Sequence, residues 1–307
     1  MNAKHVLFAT AVVTFAVVGL PTDASATDYH HMHLTAPDAK VAAAWYIEHM
    51  GCEDFGREGA CRVGTTDFYW FEREPQAGSV GSGVNHIGFS FSDLTAKMAG
   101  WQAAGLDIEN PDEPIRDIPG LFKLAFLTDP WGTRIEVVED HEWPGFHHIH
   151  LSSPDPEATL AWYENIFGGE SDSLKGRIDG LRYGGTWLLV SPLREGTLAT
   201  TQRRAIDHLG WSFPDLDAAA AEIKSKGVAF TMEPPPAFRI SGMAALVPRN
   251  VPLAFTPITK SQSWDEVSSS TPRSSTPALF TRMSMRPKAF RVSFTTRSMS
   301  SRSPISA

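Results

Sequence analysis

Four histidines begin short segments in which apolar and polar residues alternate, and an aspartate follows each histidine seven residues later. Successive segments begin 55, 62 and 60 residues apart, so four related units make up the chain. Because alternate side chains of a strand share a face, each segment has one face to bury and a polar face that holds its histidine. Histidine binds metals and transfers protons near neutral pH, so the polar faces could carry chemistry. These histidines are His31, His86, His148 and His208.

A helix is predicted after each of these strands, because the aspartate is a favoured N-cap and a glycine ends the helical pattern. Units one and three share a Trp-Tyr pair in the helix, whereas units two and four share an alanine-rich middle. A helix flanked by one strand before it and two or three after it cannot close a core alone, so the units must pair. We expect an α+β protein with two domains, each an odd unit followed by an even one, over residues 29–140 and 145–260.

The N-terminus has the pattern of a secretory signal peptide over residues 1–26. Lys4 and His5 precede an apolar run, and Ala24-Ser25-Ala26 offers a cleavage point. We therefore expect a periplasmic or secreted protein with no membrane segment after cleavage. The net charge of −8 and the lack of a basic stripe across the repeats argue against a nucleic-acid partner. A homodimer is compatible with the sequence.

Cys52 and Cys61 are the two cysteines, nine residues apart around a glycine-containing turn. In an oxidising compartment they could form a disulfide across a hairpin. The alternative is that both are unpaired small core residues.

Three motifs of the chain resemble the vicinal oxygen chelate superfamily, which includes glyoxalase I, type I extradiol dioxygenases and bleomycin-resistance proteins. They are the strand from histidine to aspartate, the Trp-Tyr helix ending in glycine, and the Asp129-Pro-Trp-Gly132 turn followed by Glu136. The resemblance covers roughly residues 29–243. It implies paired βαβββ modules that curl into open barrels, each around one divalent metal.

By the same resemblance, the ligands in the first domain would be His31, His86 and Glu136. Two imidazoles and one carboxylate suit Fe, Mn, Ni or Zn, and the sequence does not distinguish among these metals. Glu72 is a candidate fourth ligand, or else a solvated charge at a strand end. Each histidine could instead simply cap a strand of a packed barrel.

Further candidates surround this predicted site. His33 shares a face with His31 and could act in catalysis by moving a proton, as Glu136 could, or it could be a hydrogen-bonded barrel residue. Tyr69 and Trp70 could wall a substrate pocket, although aromatic strand residues are also typical of cores. In unit three, His150 matches His33 and is predicted to face the pocket.

The second domain offers His148 and His208 at the ligand positions, but its third ligand is missing. The offset of 122 residues between domains carries Glu136 to Ile258. No glycine follows Gly242 and no acidic residue follows Glu266, so residues 261–307 are predicted to be disordered. We hypothesise that the native ending was replaced after about Met243, for example by a reading-frame change, which would leave a vestigial metal site.

The sequence thus predicts a metal-dependent protein that acts on a small substrate with vicinal oxygens, by glyoxalase-like lyase or isomerase chemistry or by dioxygenation. One alternative is a non-catalytic module that sequesters a ligand, as bleomycin-resistance proteins do. Another is an inactive product with a truncated second barrel.

Overall fold

The four histidine-led segments form the first strands of four structural units. In a computed structural model, the structure describes residues 28–230. The predicted signal peptide, Ile258 and the tail over 261–307 lie outside this range. Within it, no helix is long and apolar enough to cross a membrane.

Each unit begins with a strand and a helix, as predicted. Unit one comprises β1 (Asp28–Ala36), α1 (Ala39–Met50), β2 (Ala60–Val63) and β3 (Thr66–Glu72). Unit two comprises β4 (Val84–Ser90), α2 (Leu94–Ala103), β5 (Asp107–Ile108), β6 (Arg116–Asp117), β7 (Lys123–Thr128) and β8 (Arg134–Glu139). Unit three comprises β9 (Gly145–Ser153), α3 (Pro156–Phe167), β10 (Glu170–Leu174), β11 (Ile178–Tyr183) and β12 (Thr186–Pro192). Unit four is described as far as β13 (Ile206–Ser212) and α4 (Leu216–Ser225).

The predicted aspartate caps are confirmed at all four helices. In each case the carboxylate accepts a hydrogen bond from a backbone N–H of the first helical turn, which satisfies donors that the helix itself leaves unpaired. The capping residues are Asp38, Asp93, Asp155 and Asp215.

The strands form two sheets, and the α+β class is confirmed. One sheet has the order β13-β1-β3-β2, and the other has the order β10-β11-β12-β9-β4-β8-β7-β5, with β6 on β7. Unit one therefore pairs with unit four, and unit two with unit three. We expected each odd unit to pair with the even unit that follows it. For the described strands this expectation is wrong, because β1 pairs with β13 and β4 pairs with β9, both antiparallel.

Four buried aromatic rings from the first three units join the two sheets. Phe146 of β9 lies 6.0 Å from the Tyr29 ring, 5.1 Å from the Phe68 ring and 5.5 Å from the Phe89 ring, measured between centroids. All four rings are buried. Aromatic packing of this kind adds to the hydrophobic stabilisation, so the sheets share one core.

Trp70 belongs to that core and not to a pocket. Its ring packs against Tyr46 of α1 at 5.2 Å and is buried. In the parallel pairing of β1 with β3, Trp70 lies opposite Leu34, on the apolar face, while Tyr69 lies opposite His33. The prediction for Trp70 is therefore corrected, since consecutive residues of a strand point to opposite faces.

Cys52 and Cys61 form a disulfide with a Cα–Cα distance of 5.7 Å. Cys61 lies in β2, and Glu53 next to Cys52 makes an isolated bridge with Arg62. Of the two alternatives that the sequence left open, the structure contains the bridge.

A buried hydrogen bond ties the helix of unit one to the turn that precedes β8. The Tyr46 hydroxyl donates to Asp129 Oδ2 at 2.8 Å, and the backbone N–H groups of Trp131 and Thr133 donate to Oδ1. Burial raises the pKa of Asp129 to about 6. Tyr163 is the counterpart of Tyr46 in unit three, and its buried hydroxyl has no hydrogen-bond partner among residues 28–230.

These two tyrosines form a matched pair for a stability test. Tyr46→Phe should lower the free energy of unfolding by about 1–3 kcal/mol, because it leaves a buried carboxylate oxygen without its donor. Tyr163→Phe removes a hydroxyl with no such partner and should change it by less than about 0.5 kcal/mol. Urea denaturation of both variants measures the difference, and equal losses would contradict this role for Asp129.

Candidate metal centre

Four side chains from three strands converge in the nine-stranded sheet. His86, Glu136, His148 and His150 each offer one ligand atom, and these atoms all lie within 4.8 Å of one another. His86, Glu136 and His148 are buried, with 6%, 7% and 1% of their surfaces exposed. Buried polar side chains that converge in this way require a partner for each donor and acceptor, so the contacts of the group decide what it can hold.

Strand pairing places these side chains on one face. In the antiparallel pair of β4 and β9, His86 lies opposite His150, and Gly88 lies opposite His148. On the other side of β4, the parallel strand β8 places Glu136 beside Gly88. Since residues opposite one another point to the same face, all four side chains meet there.

Gly88 provides the space for the His148 ring. A Cβ atom at position 88 would lie 2.1 Å from Cε1 of His148, far inside van der Waals contact. A residue with a side chain would therefore displace the imidazole from the group. The small residue opposite the histidine is as necessary to the site as the histidine.

Hydrogen bonds assign the tautomers around His148. His147 Nε2 lies 3.3 Å from Asp140 Oδ2 and donates to it, so a neutral His147 ring accepts at Nδ1. His148 Nδ1 lies 2.7 Å from that nitrogen and must be the donor. The lone pair of His148 Nε2 then faces Glu136 Oε2 at 3.3 Å, and this nitrogen makes no hydrogen bond. Two electron-rich atoms face each other at a position that a cation would satisfy.

His86 shows the same mismatch. Its Nδ1 lies 2.9 Å from Asn85 Oδ1 and its Nε2 lies 2.8 Å from Glu136 Oε2, so both nitrogens face oxygen acceptors. Burial lowers the pKa of His86 to about 4, although Glu136 acts in the opposite direction, so the ring has one proton at neutral pH. A cation between Nε2 and Glu136 would leave that proton on Nδ1. The unpartnered Nδ1 of His150 adds a further donor atom.

The charge of the group also suits a cation. Burial by itself would raise the pKa of Glu136, but the neighbouring His148 and His86 hold it well below its usual range. The group therefore presents an ionised carboxylate, which metal binding requires. The cluster could hold a divalent metal.

The polar residue directly before each repeat histidine contacts the Nδ1 atom of that histidine. The contacting side chains are those of His30, Asn85, His147 and Asp207. For His30 and Asn85 the strand pairing shifts register at that residue, so a bulge lets neighbouring side chains meet. Orienting one ring nitrogen directs the other at the site. The sequence contains this signal, because a polar residue precedes every repeat histidine.

A buried network extends from His147 to the protein surface. Asp140 Oδ1 accepts from Lys175 Nζ at 2.8 Å, and Lys175 also contacts Glu142, whose side chain is exposed. Hydrogen bonds from His147 and Lys175 lower the pKa of Asp140 against the effect of burial. Burial lowers the pKa of His147 to about 4. His147 is therefore held as a neutral ring that links an ionised aspartate to His148.

The predicted trio of His31, His86 and Glu136 does not assemble. His31 lies in the four-stranded sheet with His33 and His208, and these three form a second group whose ligand atoms lie within 4.8 Å of one another. His148 and His208, predicted as one vestigial site, are likewise divided between the two groups. The reason is the pairing of unit one with unit four.

The remaining predicted residues follow from strand parity. Tyr69 lies beside the second group, with its ring 5.8 Å from His31 and 5.3 Å from His33. Glu72 lies opposite Ala36 on the other face of the sheet, is exposed, and joins neither group. The suggested ligand role of Glu72 is therefore not supported. His150, predicted to face the pocket, is a member of the first group.

Comparisons with known proteins agree with this architecture. The family model of the Glyoxalase/Bleomycin resistance protein/Dioxygenase superfamily matches residues 145–247. That segment belongs to this superfamily. No curated protein matches the chain.

Among solved structures, glyoxalase I from Zea mays is 17% identical with a TM-score of 0.53, covering 69% of this chain and 85% of that one. A point variant of the maize protein is 16% identical with a TM-score of 0.54, covering 69% and 85%. A second variant is 15% identical with a TM-score of 0.53, covering 69% and 87%. At these identities the likeness shows a shared fold. The resemblance identified from the sequence motifs is confirmed.

The three units in which the carboxylate position is described differ there. Glu136 lies beside Gly88, two residues after His86. The same pairing puts Tyr69 beside His33 in unit one and Leu189 beside His150 in unit three. In unit four the corresponding position lies outside residues 28–230. Among the described residues, the carboxylate thus belongs to the first group.

The contact between His147 and His148 predicts an effect on metal affinity. His147→Phe keeps a ring in this buried position but cannot orient His148 Nδ1, so we expect zinc affinity of the first group to fall about 10–100-fold. His147→Asn introduces the residue type that performs this role at Asn85 and should retain most of the affinity. Isothermal titration of both variants at matched folded fractions measures the effect. Equal affinities in the two variants would contradict the positioning role.

Proposed function

We propose that the chain is a metal-dependent superfamily protein that acts on a small substrate with vicinal oxygens. His86, Glu136, His148 and His150 would hold the divalent cation. The observation that carries this proposal is the convergence of four ligand atoms within 4.8 Å of one another, among them His148 Nε2, which makes no hydrogen bond and lies 3.3 Å from Glu136 Oε2. A cation bound there would give these atoms a partner.

The donor set limits the metal. Imidazole suits Zn, Fe, Ni and Cu, and a carboxylate extends the set to Mn. When bound by these four residues, such an ion would polarise the substrate oxygens as a Lewis acid. The donor set fits Fe, Mn, Ni or Zn.

Glu136 is the proposed proton acceptor of the chain. Its carboxylate is ionised at neutral pH. A carboxylate beside a polarised carbonyl can take a proton from the neighbouring carbon, which is the step that glyoxalase-like lyase or isomerase chemistry needs. His33 cannot take this role at the first group, because it lies in the second one.

Aromatic and cationic side chains form one wall of the group. The Phe126 ring lies 5.4 Å from the His86 ring, and the Arg134 guanidinium lies 3.7 Å above the centre of the Phe126 ring. Arg116, which is exposed, lies 5.5 Å from the same ring. The Arg134 guanidinium is paired with Glu109, whereas Arg116 is exposed beside the ring. An apolar surface next to an exposed guanidinium suits a small substrate with oxygen acceptors.

The alternative is a non-catalytic module that binds a ligand without converting it. One observation favours it: the hydrogen bond between His86 Nε2 and Glu136 Oε2, at 2.8 Å, stabilises the carboxylate even without a cation. In that case the protein would bind an aromatic ligand and show no requirement for metal.

We also propose that the protein works in the periplasm or outside the cell. The disulfide between Cys52 and Cys61 supports this location, because such bridges persist in oxidising compartments.

Metal analysis of the purified full chain tests the catalytic proposal. Glu136→Ala should hold one equivalent of metal less than the wild type. It should also lose the ability to convert the probe substrate, which is a 2-oxoaldehyde thiol adduct or a catechol. His141→Ala, at an exposed histidine outside both groups, should match the wild type. An unchanged metal content in Glu136→Ala would contradict the site. A wild-type chain that holds no metal and binds an aromatic ligand tightly would favour the binding module.

A further inference from the structure

We propose that Ser191 is a positioning residue of the first group, which orients His150 so that the Nδ1 atom of this ring binds the cation. The inference rests on the proposed function, because it concerns the same metal centre, but it assigns a role to a side chain outside the four donors. Ser191 would decide which nitrogen of His150 is the ligand.

Ser191 lies on the same face of the nine-stranded sheet as the first group. In the parallel pair of β9 and β12, Leu189 lies opposite His150, and Ser191 follows Leu189 by two residues. Because alternate residues of a strand share a face, the Ser191 hydroxyl reaches the His150 ring from the neighbouring strand. Its Oγ atom lies 2.6 Å from His150 Nε2, and both side chains are partly buried. This contact occupies one of the two ring nitrogens.

The other nitrogen of His150, Nδ1, is buried and has no hydrogen-bond partner among residues 28–230. The ring lies 4.5 Å from the His86 ring and 5.8 Å from the His148 ring, measured between centroids. A neutral imidazole carries one proton. A proton on Nδ1 would be a buried donor without an acceptor, whereas a proton on Nε2 is donated to Ser191 Oγ and leaves a lone pair on Nδ1. Only the second tautomer gives both nitrogens a partner when a cation is bound.

His150 is thereby oriented in the opposite sense to the other two histidines of the group. His86 and His148 are contacted at Nδ1 by the polar residues that precede them, and their Nε2 atoms approach the carboxylate. Ile149, which precedes His150, is apolar and buried in the core. The contact that orients His150 therefore has to come from another strand, and Ser191 supplies it.

Unit one shows the effect of a different residue at this position. Phe71 occupies the strand position in unit one that Ser191 occupies in unit three. The Phe71 ring stacks on the His33 ring at 4.5 Å with an interplanar angle of 10°. A phenyl ring contacts the face of the imidazole and offers no acceptor to its nitrogens, so it cannot select a tautomer. The hydroxyl at position 191 is therefore a specific property of the first group.

The role of Ser191 also accounts for the fourth donor of the group. Leu189 occupies the strand position in unit three that Glu136 occupies in unit two, and a leucine offers no ligand atom. From unit three, His148 and His150 join the group. Because His150 contributes through a lone pair that depends on its tautomer, the set of four donors depends on Ser191.

The matched variants Ser191→Thr and Ser191→Val test this role, because their side chains have the same shape, both favour strands, and only threonine keeps the hydroxyl. Zinc is titrated into the metal-free full chain in competition with a chromophoric chelator, at matched folded fractions. For the zinc equivalent that Glu136→Ala removes, we expect affinity to fall about 10–100-fold in Ser191→Val and to stay close to the wild-type value in Ser191→Thr. Equal affinities in the two variants would overturn the role of Ser191.

Nitrogen-15 NMR of the histidine rings in the metal-free full chain gives a second measurement that needs no metal. The signals of His150 are assigned by their loss in His150→Gln. We expect the proton on Nε2 in the wild type and in Ser191→Thr. In Ser191→Val this N–H loses its acceptor, so the form with the proton on Nδ1 should increase. A wild-type ring with its proton on Nδ1 would overturn the inference.

The two measurements separate this inference from the proposed function. A zinc equivalent that depends on Glu136 but binds equally well to both Ser191 variants would overturn the role of Ser191 and leave the metal centre. If no zinc equivalent of the wild type depends on Glu136, the proposed function fails, and the ligand role of His150 fails with it, even where the ring NMR shows the contact with Ser191. His141→Ala should match the wild type in both measurements.

Discussion

The placement of a glycine opposite a histidine across an antiparallel strand pair is the constraint on which both groups depend. Gly88 faces His148, and Gly210 faces His31. In each pair, one strand contributes two histidines separated by one residue, and the other contributes a histidine and a glycine. The missing Cβ lets an imidazole cross to the partner strand, so ligand atoms from different units come within reach of one ion.

The four units share the same opening strand and helix but differ in chemistry. The first group contains Glu136, which lies on the strand after a turn anchored by Tyr46 and Asp129. For the second group, the corresponding positions of unit four lie outside residues 28–230. Among those residues the Tyr163 hydroxyl has no hydrogen-bond partner, whereas the Tyr46 hydroxyl donates to Asp129. The hypothesis that the ending was replaced after about Met243 remains a prediction.

Much of the fold could be predicted from the sequence because its signals are local. The aspartate caps, the histidine-bearing faces and the position of Glu136 depend on neighbouring residues and on the two-residue period of strands. The pairing of units could not be predicted, because unit one presents the same kind of strand edge to unit two as to unit four. Because unit one pairs with unit four, His31 lies in a different sheet from His86. Parity could have excluded one predicted residue, since Tyr69 and Trp70 are consecutive and cannot line the same pocket.

Anomalous diffraction from crystals of the full chain grown with zinc tests the central claim most directly. The account predicts a peak bound by His86, Glu136 and His148, with zinc about 2.0–2.2 Å from the imidazole nitrogens and the carboxylate oxygen. Unit two would then share its ion with unit three. A peak that joins His31 to His86 and Glu136 would contradict the account, because it would require consecutive units to share a site.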